Sequence, residues 1–302
     1  MNSGPCLSAH GAAVSRAARL GVVALMASAV IGSLAAAEPA AGYPPYKKGD
    51  RLRPRPPVVA PPDASTQDQP GRPPSDAIVL FDGRDLSQWM EFNARTGIDD
   101  PSQPPKWRVQ DGYAMAAGNN IQTRAKFADC HFHVEWRTSP EEAAIGGDRF
   151  DQHLGNSGIE FGDHPEIQIL DSYRNDTYPD GQASAIYGYF PPRVNASRPP
   201  GEWQSYDIFY TAPLFENGRK VRSATYTVLH NGLPVHLAVE VKGEDVECRI
   251  KFRPHGGQLR YRNIWVRPLH AYDEAAGQPL PPGARTTNPF PRPPAKGKAK
   301  SP

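Results

Sequence analysis

The chain has 302 residues, a formal net charge of +2 and 34 prolines. The prolines crowd into Pro39–Pro74 and Pro279–Pro302, so the composition argues for one folded domain between unstructured ends rather than for two domains. The basic excess lies in those ends, and no dense basic patch interleaves with aromatics in the middle, which argues against a nucleic-acid partner.

Residues 1–37 have the layout of a secretory leader: Arg16 and Arg19, the apolar run Leu20–Leu34, then Ala35-Ala36-Ala37 before Glu38. The expectation is an exported, periplasmic or extracellular protein with no membrane span once the leader is removed. Residues 38–75 read as a proline-rich basic linker, extended and solvated, and residues 271–302 as a basic proline-rich tail. The folded domain is expected at 76–270, about 195 residues, which is long enough for a sizeable core.

Ala77–Phe81 is a short apolar strand, and Leu86–Met90 brings Trp89 as a core or pocket aromatic. Lys106–Ala116 reads as a hairpin turning at Asp111-Gly112, with Trp107 and Val109 facing Tyr113 and Met115. In Phe127–Ser139, Cys130, Phe132, Val134 and Trp136 alternate with His131, His133, Glu135 and Arg137. The second set is more ionisable than a solvent face requires. His131 and His133 have the spacing of a metal-binding pair, but no third ligand is identifiable. Cys130 and Cys248 lack zinc spacing, and sequence alone does not decide whether they are bonded.

The densest polar chemistry lies in Asn156–Tyr173, where Ile167 and Ile169 alternate with Glu166 and Gln168. A strand there buries the isoleucines and presents the carboxylate and the amide to the other face, about 6.6 Å apart. Leu170 breaks the polar parity, so the strand should end or twist there and leave Asp171 at a rim. The loop that follows is rich in tyrosine and arginine, as in sites that stack sugars on aromatic faces. From Gln204 onward the chain reads as strand after strand, with Asn231-Gly232 as a further hairpin turn. The fold class is all-β, an antiparallel two-sheet sandwich.

The segments LFDGRDLSQW, KWRVQDGYAM, DCHFHVEWRT, NSGIEF with PEIQILDSY, DGQASAIYGYFPP, GEWQSYDI, HNGLPV and HGGQLRYRNIWVRPL occur in one order. Together they resemble the 3-keto-disaccharide hydrolase family, also described as 3-keto-glucoside 1,2-lyases, across nearly all of Ile78–Leu269. The resemblance implies a concanavalin-A-like jelly roll and an enzyme that cleaves 3-keto-glucosides by C2 proton abstraction, elimination and hydration. An oligosaccharide or glycoside is the implied partner. A divalent metal ion is compatible with such a family, but no ligand set compels one and no cofactor is assigned; the oligomeric state is open.

The resemblance makes Glu135 and Glu166 the base and acid candidates, in either order, with His255 assisting the enolate oxygen or orienting a carboxylate. Asn156, Gln168, Asp171, Tyr173 and Tyr187 are expected to bind substrate, together with Arg137 and His133. Where relatives read Gln-Asp before the histidine, this chain has Arg253-Pro254. That departure leaves a non-catalytic glycan-binding module as the alternative, and an interaction role for the tails as a third reading.

Overall fold

The computed structural model describes residues 48–49, 53, 55–93, 99–100, 102, 104–117, 119–141, 152–255 and 258–270. The leader and the C-terminal tail lie outside the described residues. In chain order the strands are β1 (Ile78–Phe81), β2 (Trp89–Phe92), β3 (Asp99–Asp100), β4 (Arg108–Gln110), β5 (Tyr113–Met115), β6 (Asn120–Thr123), β7 (Cys130–Arg137) and β8 (Ser157–Phe161). They continue as β9 (Ile167–Ile169), β10 (Gln204–Thr211), β11 (Leu214–Glu216), β12 (Arg219–Arg222), β13 (Ala224–His230), β14 (Leu233–Val241), β15 (Ile250–Phe252) and β16 (Arg260–Pro268).

They form two large antiparallel sheets, as the strand-rich pattern predicts, and a separate two-stranded ribbon of β11 and β12. The first runs β14-β13-β10-β7-β16-β5-β4, with β1 also pairing β16, and the second runs β3-β2-β6-β15-β8-β9. The sheets bury their apolar parity against each other. Cys130, Phe132, Val134 and Trp136 of β7 are all fully buried, and Phe132 meets Phe161 of β8 and Phe252 of β15 at ring distances of 5.9 and 6.3 Å. Trp89 is fully buried, and its indole donates to the Leu80 carbonyl. Cys130 and Cys248 are both free thiols inside this core.

Hairpin chemistry sets much of the register. Asp111-Gly112 and Asn231-Gly232 both take positive φ, as two-residue turns matched to strand twist demand. Asn217-Gly218 does the same in the β11–β12 ribbon, a third hairpin that the sequence reading passed over. The first turn also corrects a detail. Val109 pairs with Ala114, and Gln110 pairs with Tyr113, so Tyr113 faces away from Trp107 and takes a hydrogen bond from the Gln110 amide.

The expected linker keeps residues 60–70 exposed but is not extended throughout. Residues 63–72 form a closed loop, tied by the Asp63–Arg72 ion pair and by Gly71 N–H donating to Ser65 Oγ. The loop straps onto the outer face of the first sheet. Gln67 exchanges two hydrogen bonds with the Trp203 backbone, at 3.0 and 2.6 Å, and Arg262 donates to the Thr66 carbonyl at 2.5 Å. Proline content signals the absence of regular structure, and it does not prevent a turn-rich segment from docking through its side chains and carbonyls.

Candidate active site

The outer face of the second sheet carries a cluster that strand register alone brings together. Lys251 pairs with Glu160 across β15 and β8, and Ile159 pairs with Ile167 across β8 and β9. One step beyond that last pair, Glu160 and Glu166 stand opposite each other. Phe161, Ile159 and Ile167 fill the core, so the two carboxylates necessarily point outward. The neighbouring row holds Arg253, Gly158 and Gln168, since Gly158 pairs with Gln168. At the next row, His255 N–H donates to the Asn156 carbonyl at 3.0 Å.

Gly158 gives this face a hollow. A Cβ there would lie 1.9 Å from Glu166 Cδ, so the Glu166 side chain folds across the space that only glycine leaves open. Oriented to satisfy its neighbours, the Gln168 amide donates to Glu166 Oε1 at 2.8 Å and to the Ser157 carbonyl at 3.1 Å. Arg253 donates to Glu160 and lies 3.9 Å from Glu166 Oε2. Its Nε is buried and has no hydrogen-bond partner among the described residues.

The electrostatics single out Glu166. Burial, reinforced by the negative charge of Glu160, pushes the Glu166 carboxyl up to about 7, and Arg253 opposes this only partly. A carboxylate poised near neutrality with like charge beside it is how a protein makes a general base for neutral pH. The His255 imidazole is exposed at the rim and is held below its ordinary value, first by the desolvation it does have and then by the Arg253 charge.

Glu135 is not part of this cluster. It lies on the outer face of the first sheet, across the core from Glu166, because its neighbours Val134 and Trp136 point inward. There Arg262 Nε donates to its Oε2 at 2.7 Å, while Asn263 and Ser65 donate to its Oε1 at 2.7 and 2.5 Å. Asn263 reaches it from a bulge in β16, where a positive φ accommodates the extra residue. Burial would raise this carboxyl, but the His133 imidazole 3.7 Å away, hydrogen bonds from Ser65 and Asn263, and the Arg262 charge hold it down at about 2. This carboxylate holds the strap to the sheet through Ser65. The expected pairing of Glu135 with Glu166 therefore gives way to Glu160 with Glu166.

His133 and Arg137 stay with Glu135. His133 stacks on Trp265 at 4.8 Å and shares Asp207 Oδ1 with His131, each at 2.8 Å. Burial opposes its charge, yet Asp207 and Glu135 raise it to about 9. The histidine pair shares one carboxylate. Arg137 lies over the Trp203 ring at 4.6 Å. Among the described residues no group of three or more His, Cys, Asp or Glu side chains is placed to hold a metal ion.

Asp171, expected at a rim, is buried: β9 ends at Ile169, Asp171 N–H donates to the Leu154 carbonyl, and its Oδ1 accepts from Tyr173 N–H. It shapes the turn that leaves the site. Tyr173 is half-buried under the Arg174 guanidinium. Asn156, Gln168, Tyr187 and His255 do share the face of Glu166. The sequence reading missed Glu160, although its parity with Gly158 in NSGIEF was visible, and it took Arg253 only as a departure from relatives.

A family profile, the 3-keto-alpha-glucoside-1,2-lyase-like domain, matches residues 76–267. A crystal structure from Parabacteroides distasonis ATCC 8503, there described as a "putative glycosyl hydrolase", is 36% identical, covers 76% of this chain and 99% of its own, and superposes with a TM-score of 0.62. A second protein from that organism, described in the same words, is 18% identical over 65% of this chain and 94% of its own, with a TM-score of 0.49. No curated protein matches the sequence. With the profile spanning both sheets and the Glu160–Glu166 face, the chain belongs to the 3-keto-alpha-glucoside-1,2-lyase-like domain family.

Proposed function

We propose that the chain cleaves 3-keto-glucosides on the outer face of the second sheet, with Glu166 as the base. The observation that carries this reading is the Glu160–Glu166 pair, in which burial and like charge hold Glu166 near neutrality. The C3 ketone acidifies the C2 proton. Glu166 takes that proton, and the electron pair of the C2–H bond becomes the C2–C3 enolate, whose charge the Arg253 guanidinium and His255 would stabilise. Collapse of the enolate forms the C1–C2 double bond and breaks the bond from C1 to the leaving oxygen, which takes a proton from the Glu166 acid. Water then adds, hydroxyl to C1 and hydrogen to C2, to give free 3-keto-glucose. Nothing in this sequence calls for the oxocarbenium chemistry of paired-carboxylate glycosidases, so Glu160 acts by tuning Glu166 rather than as a nucleophile.

Purified protein given a 3-keto-disaccharide in deuterated water should release 3-keto-glucose labelled at C2, and Glu166→Gln should lower kcat/KM by about 100-fold or more. No product from the wild-type chain, or wild-type rates from the variant, would sink the assignment. The alternative, a glycan-binding module, draws on Arg253 bridging both carboxylates. It predicts saturable binding of unoxidised sugars without turnover. The same reading places the chain outside the cytoplasm, on the strength of the leader-like Arg16–Ala37. A mature protein beginning at Glu38 in the exported fraction is the expected result, and an intact N-terminus in the cytosol would refute it.

A further inference from the structure

The loop after β9 returns along that strand and adds a partial rung to the sheet. Gln168 N–H donates to the Ala185 carbonyl and Tyr187 N–H to the Glu166 carbonyl, each at 2.9 Å, around an antiparallel bridge between Ile167 and Ile186. Ile186 is fully buried, so Tyr187 points outward and becomes the direct cross-strand neighbour of Glu166. Such neighbours on one face have Cβ atoms about 5 Å apart.

Tyr187 is held in a pair. Its hydroxyl meets that of Tyr178 at 2.7 Å, and the rings lie 6.3 Å apart at 59°. Tyr178 is seated by a glycine: a Cβ on Gly181 would fall 2.1 Å from the Tyr178 ring. Gly188 N–H donates to the Asp180 carbonyl, closing the loop that carries both tyrosines. Yet the two remain 45% and 41% exposed, so core packing does not account for them. An ordered, exposed aromatic pair beside a reactive carboxylate is a ready stacking surface for a ring.

We infer that Tyr178 and Tyr187 form the subsite that stacks the ring on the leaving-group side of the substrate, so that the chain selects glycosides whose aglycone is itself a pyranose or an arene. The orientation of this subsite rests on the reaction proposed for Glu166, because the leaving group departs one glycosidic bond from the carbon that Glu166 deprotonates. Both ring types offer a flat face to tyrosine, and the choice of ligands separates them.

The test is calorimetric binding of methyl α-D-glucoside, maltose and p-nitrophenyl α-D-glucoside to the full chain, its Tyr178→Ala and Tyr187→Ala variants, and Tyr187→Phe. The wild type should bind at least one of the two-ring ligands about 10-fold or more tighter than methyl glucoside. Both alanine variants should shrink that gap to within about twofold, and Tyr187→Phe, which keeps the ring, should retain most of it. A gap for maltose marks a pyranose subsite, and a gap for the nitrophenyl ligand alone marks an arene subsite. No gap in the wild type, or a gap that survives both alanine variants, overturns the inference. Because the readout is binding, failure of 3-keto-disaccharide turnover with the gap intact strikes the reaction and leaves the subsite standing.

Discussion

Replacing Glu166 by glutamine should stabilise the protein at alkaline pH and do nothing for it at acid pH. The Glu166 carboxyl is raised from 4.5 to about 7 in the folded chain, chiefly by burial and by the charge of Glu160. The folded state therefore holds this proton more tightly than the unfolded state. Below the unfolded value both states are protonated, and the residue is neutral in each. As pH rises from 4.5 towards 7 the unfolded chain releases the proton first, so folding loses stability through that window and the loss is complete above it. The shift spans about 2.5 pH units, and at ~1.36 kcal/mol per unit the ceiling is ~3.4 kcal/mol, with ~1–3 kcal/mol expected after solvent relaxation. The side chain is only 12% exposed, so surface screening does not erase the effect. Glutamine keeps an acceptor for Gln168 and never ionises. Melting curves of both proteins from pH 4 to 9 should coincide at the acid end and diverge by several degrees at pH 8, at roughly 2–4 °C per kcal/mol for a domain of this size. Over the same range, wild-type kcat/KM should rise through about pH 7 as the base deprotonates. A difference in melting temperature that does not grow with pH would refute the claim that the fold holds Glu166 protonated.

Two further substitutions separate the faces of the sandwich. Gly158→Ala should leave the fold intact but push the Glu166 carboxylate out of its hollow, since the new methyl falls 1.9 Å from Glu166 Cδ; turnover should drop about 100-fold with little change in melting temperature, and unchanged turnover would show that the hollow is irrelevant. Glu135→Ala should do the reverse: it strands Arg262, which is only 6% exposed, so stability should fall by ~3–5 kcal/mol while turnover below the melting range stays within about threefold. A selective loss of turnover in that variant would return Glu135 to the reaction.

The two faces differ in how much of them could be read ahead of the structure. Parity within a strand is a local property, so the inward set Cys130, Phe132, Val134 and Trp136 and the outward placement of Glu166 and Gln168 follow from alternation alone. The turns at Asp111-Gly112 and Asn231-Gly232 follow just as directly, because few residues tolerate their backbone. Alternation says which residues share a face of one strand. It does not say which face of which sheet that is, and two strands with equally polar outer sides look alike. Glu135 and Glu166 were thus natural partners on paper and are separated by the hydrophobic core. The outward parity of Glu160 is local, but its place opposite Glu166 follows only from the register of β8 against β9 and β15.

The strap over Glu135 belongs to the same class. Its anchoring groups are the Gln67 amide, the Ser65 hydroxyl and two backbone carbonyls, none of which leaves a periodic trace. Family, sandwich class, hairpin positions and the outward direction of Glu166 and Gln168 were determined by the sequence itself, through motif order, period and turn chemistry. Which carboxylate faces Glu166, and that Arg253 and Tyr187 flank it, was decided by strand register and sheet stacking. Those are contacts between segments far apart in the chain, and only packing two sheets around one core brings them together.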